Sequence, residues 1–122
     1  MRRGFDRTQR IADLIQKSLA EILLREMGDE RFRFVTITSV VVTRDLSYAK
    51  IYISVLEDDE AKIKEIVSAL NRSVKHIRYQ LAQAIELRIV PELKFVYDES
   101  AARGFRISHL IDAAVKKTDK ES

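Results

Sequence analysis

Apolar positions recur along this chain with two different periods, and the changes of period mark its elements. Ile11, Leu14, Ile15, Leu19, Ile22 and Leu23 return at intervals of three and four residues, which puts them on one face of a helix. Asp6 with Gln9 resembles a capping box at its start, and Gly28 can take the left-handed backbone that ends a helix. After a loop from Asp29 to Phe34, the stretch from Val35 to Thr43 is rich in Val, Ile and Thr and reads as a strand. Its alternation slips, because Val35 and Ile37 share one parity and Val40 and Val42 the other, so a bulge or a late strand start is expected near Ser39. Beyond the polar connection Arg44-Asp45-Leu46-Ser47, Ala49, Ile51, Ile53 and Val55 alternate with Tyr48, Lys50, Tyr52 and Ser54. That pattern predicts the second strand of an antiparallel hairpin with one solvated face.

The next apolar stripe is longer. Ile63, Ile66, Val67, Leu70, Val74, Ile77, Leu81, Ala84 and Ile85 hold one helical face. A single straight helix from Glu60 to Leu87 would be about 42 Å long, whereas a compact domain of this chain length is roughly 35 Å across. Asn71 and Ser73, residue types that prefer caps, mark the place for a kink that divides the segment into two helices. Pro91, which has no N–H to donate, suits the start of a third strand in which Leu93, Phe95 and Tyr97 alternate with Glu92, Lys94 and Val96. Ile107, Leu110, Ile111, Ala114 and Val115 then predict a last helix beginning between Ser100 and Gly104. The order is helix, strand, strand, helix, kink, helix, strand, helix. This is an α+β arrangement with helices covering one sheet face, over residues 1–115 as a single domain with a polar tail at 116–122.

Composition narrows the chemistry. The 122 residues include no cysteine, which excludes disulfides, thiolate catalysis and cysteine-ligated zinc. No apolar run approaches the roughly 18 residues of a membrane span, and no apolar region follows Arg2 and Arg3 as a signal peptide would require, so a cytoplasmic, soluble protein is expected. His76 and His109 are the only histidines and stand in no metal-ligand spacing; the isolated glycines Gly4, Gly28 and Gly104 form no phosphate loop. The acidic run Glu57-Asp58-Asp59-Glu60 lacks the glycine and terminal glutamate of a calcium loop. Placed directly before a helix, it reads as a cap. Neither a metal nor a cofactor is expected, and a small hydrolase built on a histidine and a carboxylate is a remote alternative.

With a formal net charge of +3, the positions of the charges matter more than their sum. Between Glu65 and Glu86 there is no acidic residue, while Arg72, Lys75, His76 and Arg78 fall inside that interval. Lys75 and Tyr79, four residues apart, lie on one exposed helix flank, and Arg78 lies at the margin of the apolar stripe, where its stem can pack. Clustered cations without neutralising carboxylates, next to an aromatic ring, suit a phosphate backbone and an unstacked base; an ordinary solvated helix face is the plainer account. Tyr48, Lys50 and Tyr52 on the open face of the hairpin offer a second, looser possibility, a sheet platform for single-stranded RNA.

Several strings resemble the bacterial ribosome-binding factor A family. They are Arg44-Asp45-Leu46-Ser47-Tyr48-Ala49-Lys50-Ile51-Tyr52, Ile77-Arg78, and Leu87-Arg88-Ile89-Val90-Pro91-Glu92-Leu93-Lys94-Phe95 followed by Tyr97-Asp98, with Gln9-Arg10-Ile11-Ala12 in support. The resemblance spans about Arg7 to Val115. It implies a type II KH-like domain without the GxxG loop of ordinary KH domains, with an added C-terminal helix. It also implies a monomeric, non-enzymatic assembly factor that binds the small (30S) ribosomal subunit, its 16S rRNA and neighbouring ribosomal proteins during late maturation and rRNA processing, notably in the cold. Where the family's kink typically reads Ala-x-Gly, this chain has Ser73-Val74-Lys75, in which a serine cap can interrupt the helix. Phosphate contacts are expected from Arg72, Lys75, Arg78 and Arg88, with Arg44 and Lys50 as outlying candidates and His76 and Tyr79 beside them. The alternative is a KH-like module for single-stranded nucleic acid outside the ribosome.

Overall fold

The computed structural model describes residues 2–100, with side chains from Arg7 onward. The expected last helix and the tail at 116–122 lie outside the described residues. The first helix, α1, runs Arg2–Arg25. It begins earlier than the Asp6–Gln9 pair suggested, so Asp6 lies within the helix, and Gln9 donates instead to the Asp13 carboxylate one turn on, at 2.9 Å. Ala12, Ile15, Leu19, Ile22 and Leu23 form its buried face, and Ile11 packs at the margin. Leu14 does not join them and is 42% exposed. At about 100° per residue it stands roughly 130° from the middle of the buried arc, whereas Ala12 falls within that arc. Gly28, past the helix end, has φ +68, the left-handed backbone foreseen for it.

The presumed loop that follows is a short 3-10 turn, Glu30–Phe34, and its Phe32 is fully buried. Strands β1, Val35–Val42, and β2, Tyr48–Val55, pair antiparallel. Their register shifts between Ile37 and Ser39, so Thr38 is the extra residue of the expected bulge. The shift lets Ile37, Val40 and Val42 all face inward despite their mixed parity. On β2, Ala49, Ile51 and Ile53 are completely buried. The acidic run caps helix α2, Glu60–Arg72: the Asp59 carboxylate accepts from the Ala61 N–H at 2.9 Å.

Helix α3, Val74–Ala84, follows after Ser73 alone. The division of the long apolar stripe is therefore where the length argument put it, but the serine side chain makes no cap hydrogen bond. The interruption is in the backbone. Ser73 has φ −94 and ψ 6, well away from helical ψ; its N–H still reaches the carbonyls of Ala69 and Leu70, and its carbonyl accepts from Ile77. The joint is thus a one-residue break in the helical backbone rather than a loop. Ile63, Ile66, Ala69, Leu70, Ile77 and Leu81 are buried along the two helices and Ile85 just beyond them, whereas Ala84 is exposed at the end of α3.

Strand β3, Glu92–Tyr97, pairs parallel with β2 and completes a sheet in the order β1-β2-β3. A parallel neighbour needs a crossover connection, and α2 with α3 supplies it. Helix α1 packs on β1 and α3, while α2 and α3 pack on β3, so the helices share one face of the sheet. Phe95, Leu93, Ile51 and Ile53 meet them there in one continuous apolar core. The other face carries Val41 and Lys94 on either side of Lys50, and Ser39 and Val96 on either side of Tyr52.

Candidate nucleic-acid interface

The α2–α3 joint is positioned from within. Leu70 on one side and Ile77 and Leu81 on the other are completely buried, which turns Arg72, Lys75, His76 and Tyr79 outward, all exposed. Tyr79 is the most open aromatic ring of the described residues at 61% exposure. Lys75 and Tyr79 are neighbours one turn apart, and the positive end of the α3 dipole lies at the same place. Among the described residues the ion pairs are Arg31 with Asp29 at 2.8 Å and Arg31 with Glu65 at 3.1 Å. Neither Arg72 nor Lys75 is in one, so the flank keeps its positive charge unneutralised.

Arg78 behaves differently. It is half-buried, and its guanidinium donates from Nε to the carbonyl of Pro91 at 3.0 Å and from Nη2 to that of Val90 at 2.8 Å. It ties α3 to the segment entering β3, and two of its donors face the protein. Asn71 does the equivalent on α2: its Nδ2 donates to the Phe95 carbonyl at 3.0 Å and its Oδ1 accepts from the Phe95 N–H at 2.9 Å. The two side chains fix the joint against β3 from either side of Ser73. Sequence reading took Asn71 only for a residue that breaks helices.

Arg44 and Arg88 are exposed at one end of the sheet, where Glu92 N–H donates to the Ser47 carbonyl at 3.0 Å and so joins the β1–β2 turn to the start of β3. The turn is built on Asp45. Its Oδ1 accepts from Thr43 Oγ1 and Ser47 Oγ, each at 2.7 Å, and from the Ser47 N–H at 3.1 Å. These bonds, that of the Ser47 hydroxyl foremost, hold the Asp45 carboxyl below the usual aspartate range. They also leave Leu46 at φ 62. Lys50 belongs to neither group: it is on the sheet face opposite the helices, with Nζ 5.4 Å from the centre of the Tyr52 ring. The expected contacts therefore fall in three places, the helix joint, the sheet end and the open sheet face.

The Lys50–Lys94 pairing and the Asn71–Phe95 contact have no signature in the sequence. Lys94 was visible as an outward residue of its strand, but its place beside Lys50 depends on the parallel pairing, which no local pattern announces. His76 stands on the exposed flank, and among the described residues no cluster of three His, Cys, Asp or Glu is placed to hold a metal. No helix of the described residues is long and apolar enough to cross a membrane.

Comparison with known proteins gives the arrangement its kinship. The profile of the family "Ribosome-binding factor A" matches residues 7–111. The chain belongs to the ribosome-binding factor A family. A ribosome-binding factor A from Chromohalobacter salexigens is 51% identical over 114 residues, covering 93% of this chain and 87% of that protein. The crystal structure of ribosome-binding factor A from Thermus thermophilus superposes with a TM-score of 0.62 at 22% identity, covering 74% of this chain and 94% of that one. A homology model of the Thermus thermophilus protein, fitted into the cryo-EM map of a 30S complex, gives a TM-score of 0.60 at 23% identity, covering 72% and 91% of the two chains. The fold is accordingly the KH-like α+β fold that the resemblance implied, and in this chain its joint is Ser73-Val74-Lys75.

Proposed function

We propose that this chain is a ribosome assembly factor that acts as a cytoplasmic monomer, its residues 1–115 forming one RNA-binding domain. It binds the small ribosomal subunit and its 16S rRNA beside neighbouring ribosomal proteins, and supports late maturation and rRNA processing, especially in the cold. The observation that carries this reading is the flank of Arg72, Lys75, His76 and Tyr79, exposed at the α2–α3 joint and without a carboxylate partner among the described residues. Family membership supports it, as does the 30S complex into which the Thermus thermophilus homologue was fitted.

The chemistry is non-covalent. Arg72 and Lys75 meet phosphates, with Arg44 and Arg88 reaching further along the RNA from the sheet end, and Tyr79 offers a ring to an unstacked base. Arg78 contributes its charge while its donors hold the joint in shape. By favouring the RNA conformation that fits this surface, the bound factor shifts the subunit toward that conformation without a bond being made or broken.

Co-sedimentation of the chain with purified 30S subunits across a salt series tests the reading. The double variant Arg72→Glu, Lys75→Glu is expected to bind at least tenfold more weakly at moderate salt, with a salt slope shallower by about 1.5, the equivalent of two phosphate contacts. Its thermal unfolding is expected to match that of the wild type. An unchanged slope in a folded variant would reject the helix flank as the contact surface.

A further inference from the structure

The face of the sheet that the described helices leave uncovered carries a separate set of groups. Along β2, Tyr48, Lys50 and Tyr52 point to it in alternation, each half-buried. The parallel pairing of β3 places Lys94 directly opposite Lys50 and Val96 opposite Tyr52. Two like charges directly opposite each other weaken a sheet, and among the described residues neither lysine is in an ion pair. The Lys50 ammonium turns instead to the Tyr52 ring. The acidic groups on this side are at its two ends. Glu92 pairs with Tyr48 at one end; at the other, Asp98 accepts a 2.6 Å hydrogen bond from Thr38 Oγ1. The lysine pair between them remains positive.

We infer that this open face is a second RNA site, which takes an unpaired strand with its phosphates on Lys50 and Lys94 and its bases against Tyr48 and Tyr52. The inference rests on the reading of the chain as an RNA binder and adds to it. A polyanion resolves the repulsion that the fold builds between the two lysines. Tyr48 and Tyr52, four residues apart on one strand, stand roughly 13 Å from each other on the same face, with π-faces that accept any base. Because the helix flank is on the opposite side of the sheet, the two sites cannot be covered by one RNA segment lying flat. The chain therefore holds two RNA segments at once, one on its helices and one on its sheet.

Fluorescence anisotropy with a labelled single-stranded oligouridylate of twelve nucleotides, using the full chain, tests this. Tyr52→Leu, which keeps an apolar neighbour for Val96, is expected to weaken oligonucleotide binding about tenfold and leave the salt slope unchanged. Lys50→Gln with Lys94→Gln is expected to reduce the slope by about 1.4 and to melt no lower than wild type, since it removes a repulsion. The helix-flank variant Arg72→Glu, Lys75→Glu is expected to hold the oligonucleotide within about twofold of wild type while losing 30S subunits. If the full chain does not bind the oligonucleotide, or if the sheet variants bind it as wild type does, the platform is wrong. Intact binding to 30S subunits in that case leaves the helix-flank reading standing.

Discussion

The Asn71 side-chain amide forms two hydrogen bonds with the backbone of Phe95, donating to its carbonyl and accepting from its N–H. Phe95 lies on an edge strand, and both of its backbone groups face away from β2, so the amide acts as a one-residue strand at the sheet edge. Asn71→Ala leaves two partly buried groups without partners and is expected to lose about 2 kcal/mol of stability. Asn71→Asp keeps the acceptor for the N–H but sets a carboxylate against the carbonyl, and is expected to lose at least as much. Urea unfolding checks both, with a lowered midpoint and an unchanged m-value as the expected result.

Arg78 bridges two consecutive carbonyls, Val90 and Pro91, a task that suits a planar fork and not a point charge. Arg78→Lys is therefore expected to destabilise the fold nearly as much as Arg78→Ala, by about 1 to 3 kcal/mol. Thermal unfolding of the two variants decides the matter: a wild-type melting temperature for Arg78→Lys would mean that charge alone is needed at this position.

At Gly28 the backbone has φ +68, and an added Cβ would meet nothing within 4 Å. The cost of Gly28→Ala is thus conformational alone, expected at about 1 kcal/mol. Gly28→Asn is expected to cost less, since asparagine tolerates this region better. Equal stability of all three proteins in chemical denaturation would show that the turn after α1 rearranges without cost.

Two aspartates tie stability to acid. The Arg31 guanidinium, donating to Asp29 at 2.8 to 3.3 Å, holds the Asp29 carboxyl below its ordinary value, as the Ser47 and Thr43 hydroxyls do for Asp45. A carboxyl with a lowered folded-state pKa contributes its stabilisation above the unfolded value and loses it as the pH falls through the folded value. Melting temperature is accordingly expected to drop below about pH 4, less steeply in Asp29→Asn and Asp45→Asn than in the wild type. Parallel acid profiles for all three would exclude these two groups as the cause.

Much of the fold was legible where a periodic pattern reported burial directly. The parity change between Ile37 and Val40 located the bulge, and the length of the apolar stripe divided α2 from α3. Legibility ended where a residue's partner came from a distant segment. Arg78 reads as a cation on a helix margin, and only the packing of the segment entering β3 beneath α3 turns it inward. Lys94 and Lys50 look unrelated until the parallel register sets them side by side. Phe32 looked like part of a loop because a single buried residue in a short turn produces no period. Of the expected RNA contacts, exposure followed from the helical wheel, but their division among three surfaces required the sheet.

The parallel pairing of β2 with β3 also orders events in time. β1 and β2 are joined by a short turn and can pair as soon as both exist, whereas β3 reaches β2 only after α2 and α3 have crossed the sheet, a contact of much longer loop closure. The Asn71 and Arg78 bonds that set the joint have their acceptors on β3 and the segment leading into it, so they form in that same late step. A chain whose last strand has not docked has a hairpin but no shaped helix flank. Competence to bind and completion of the fold arrive together.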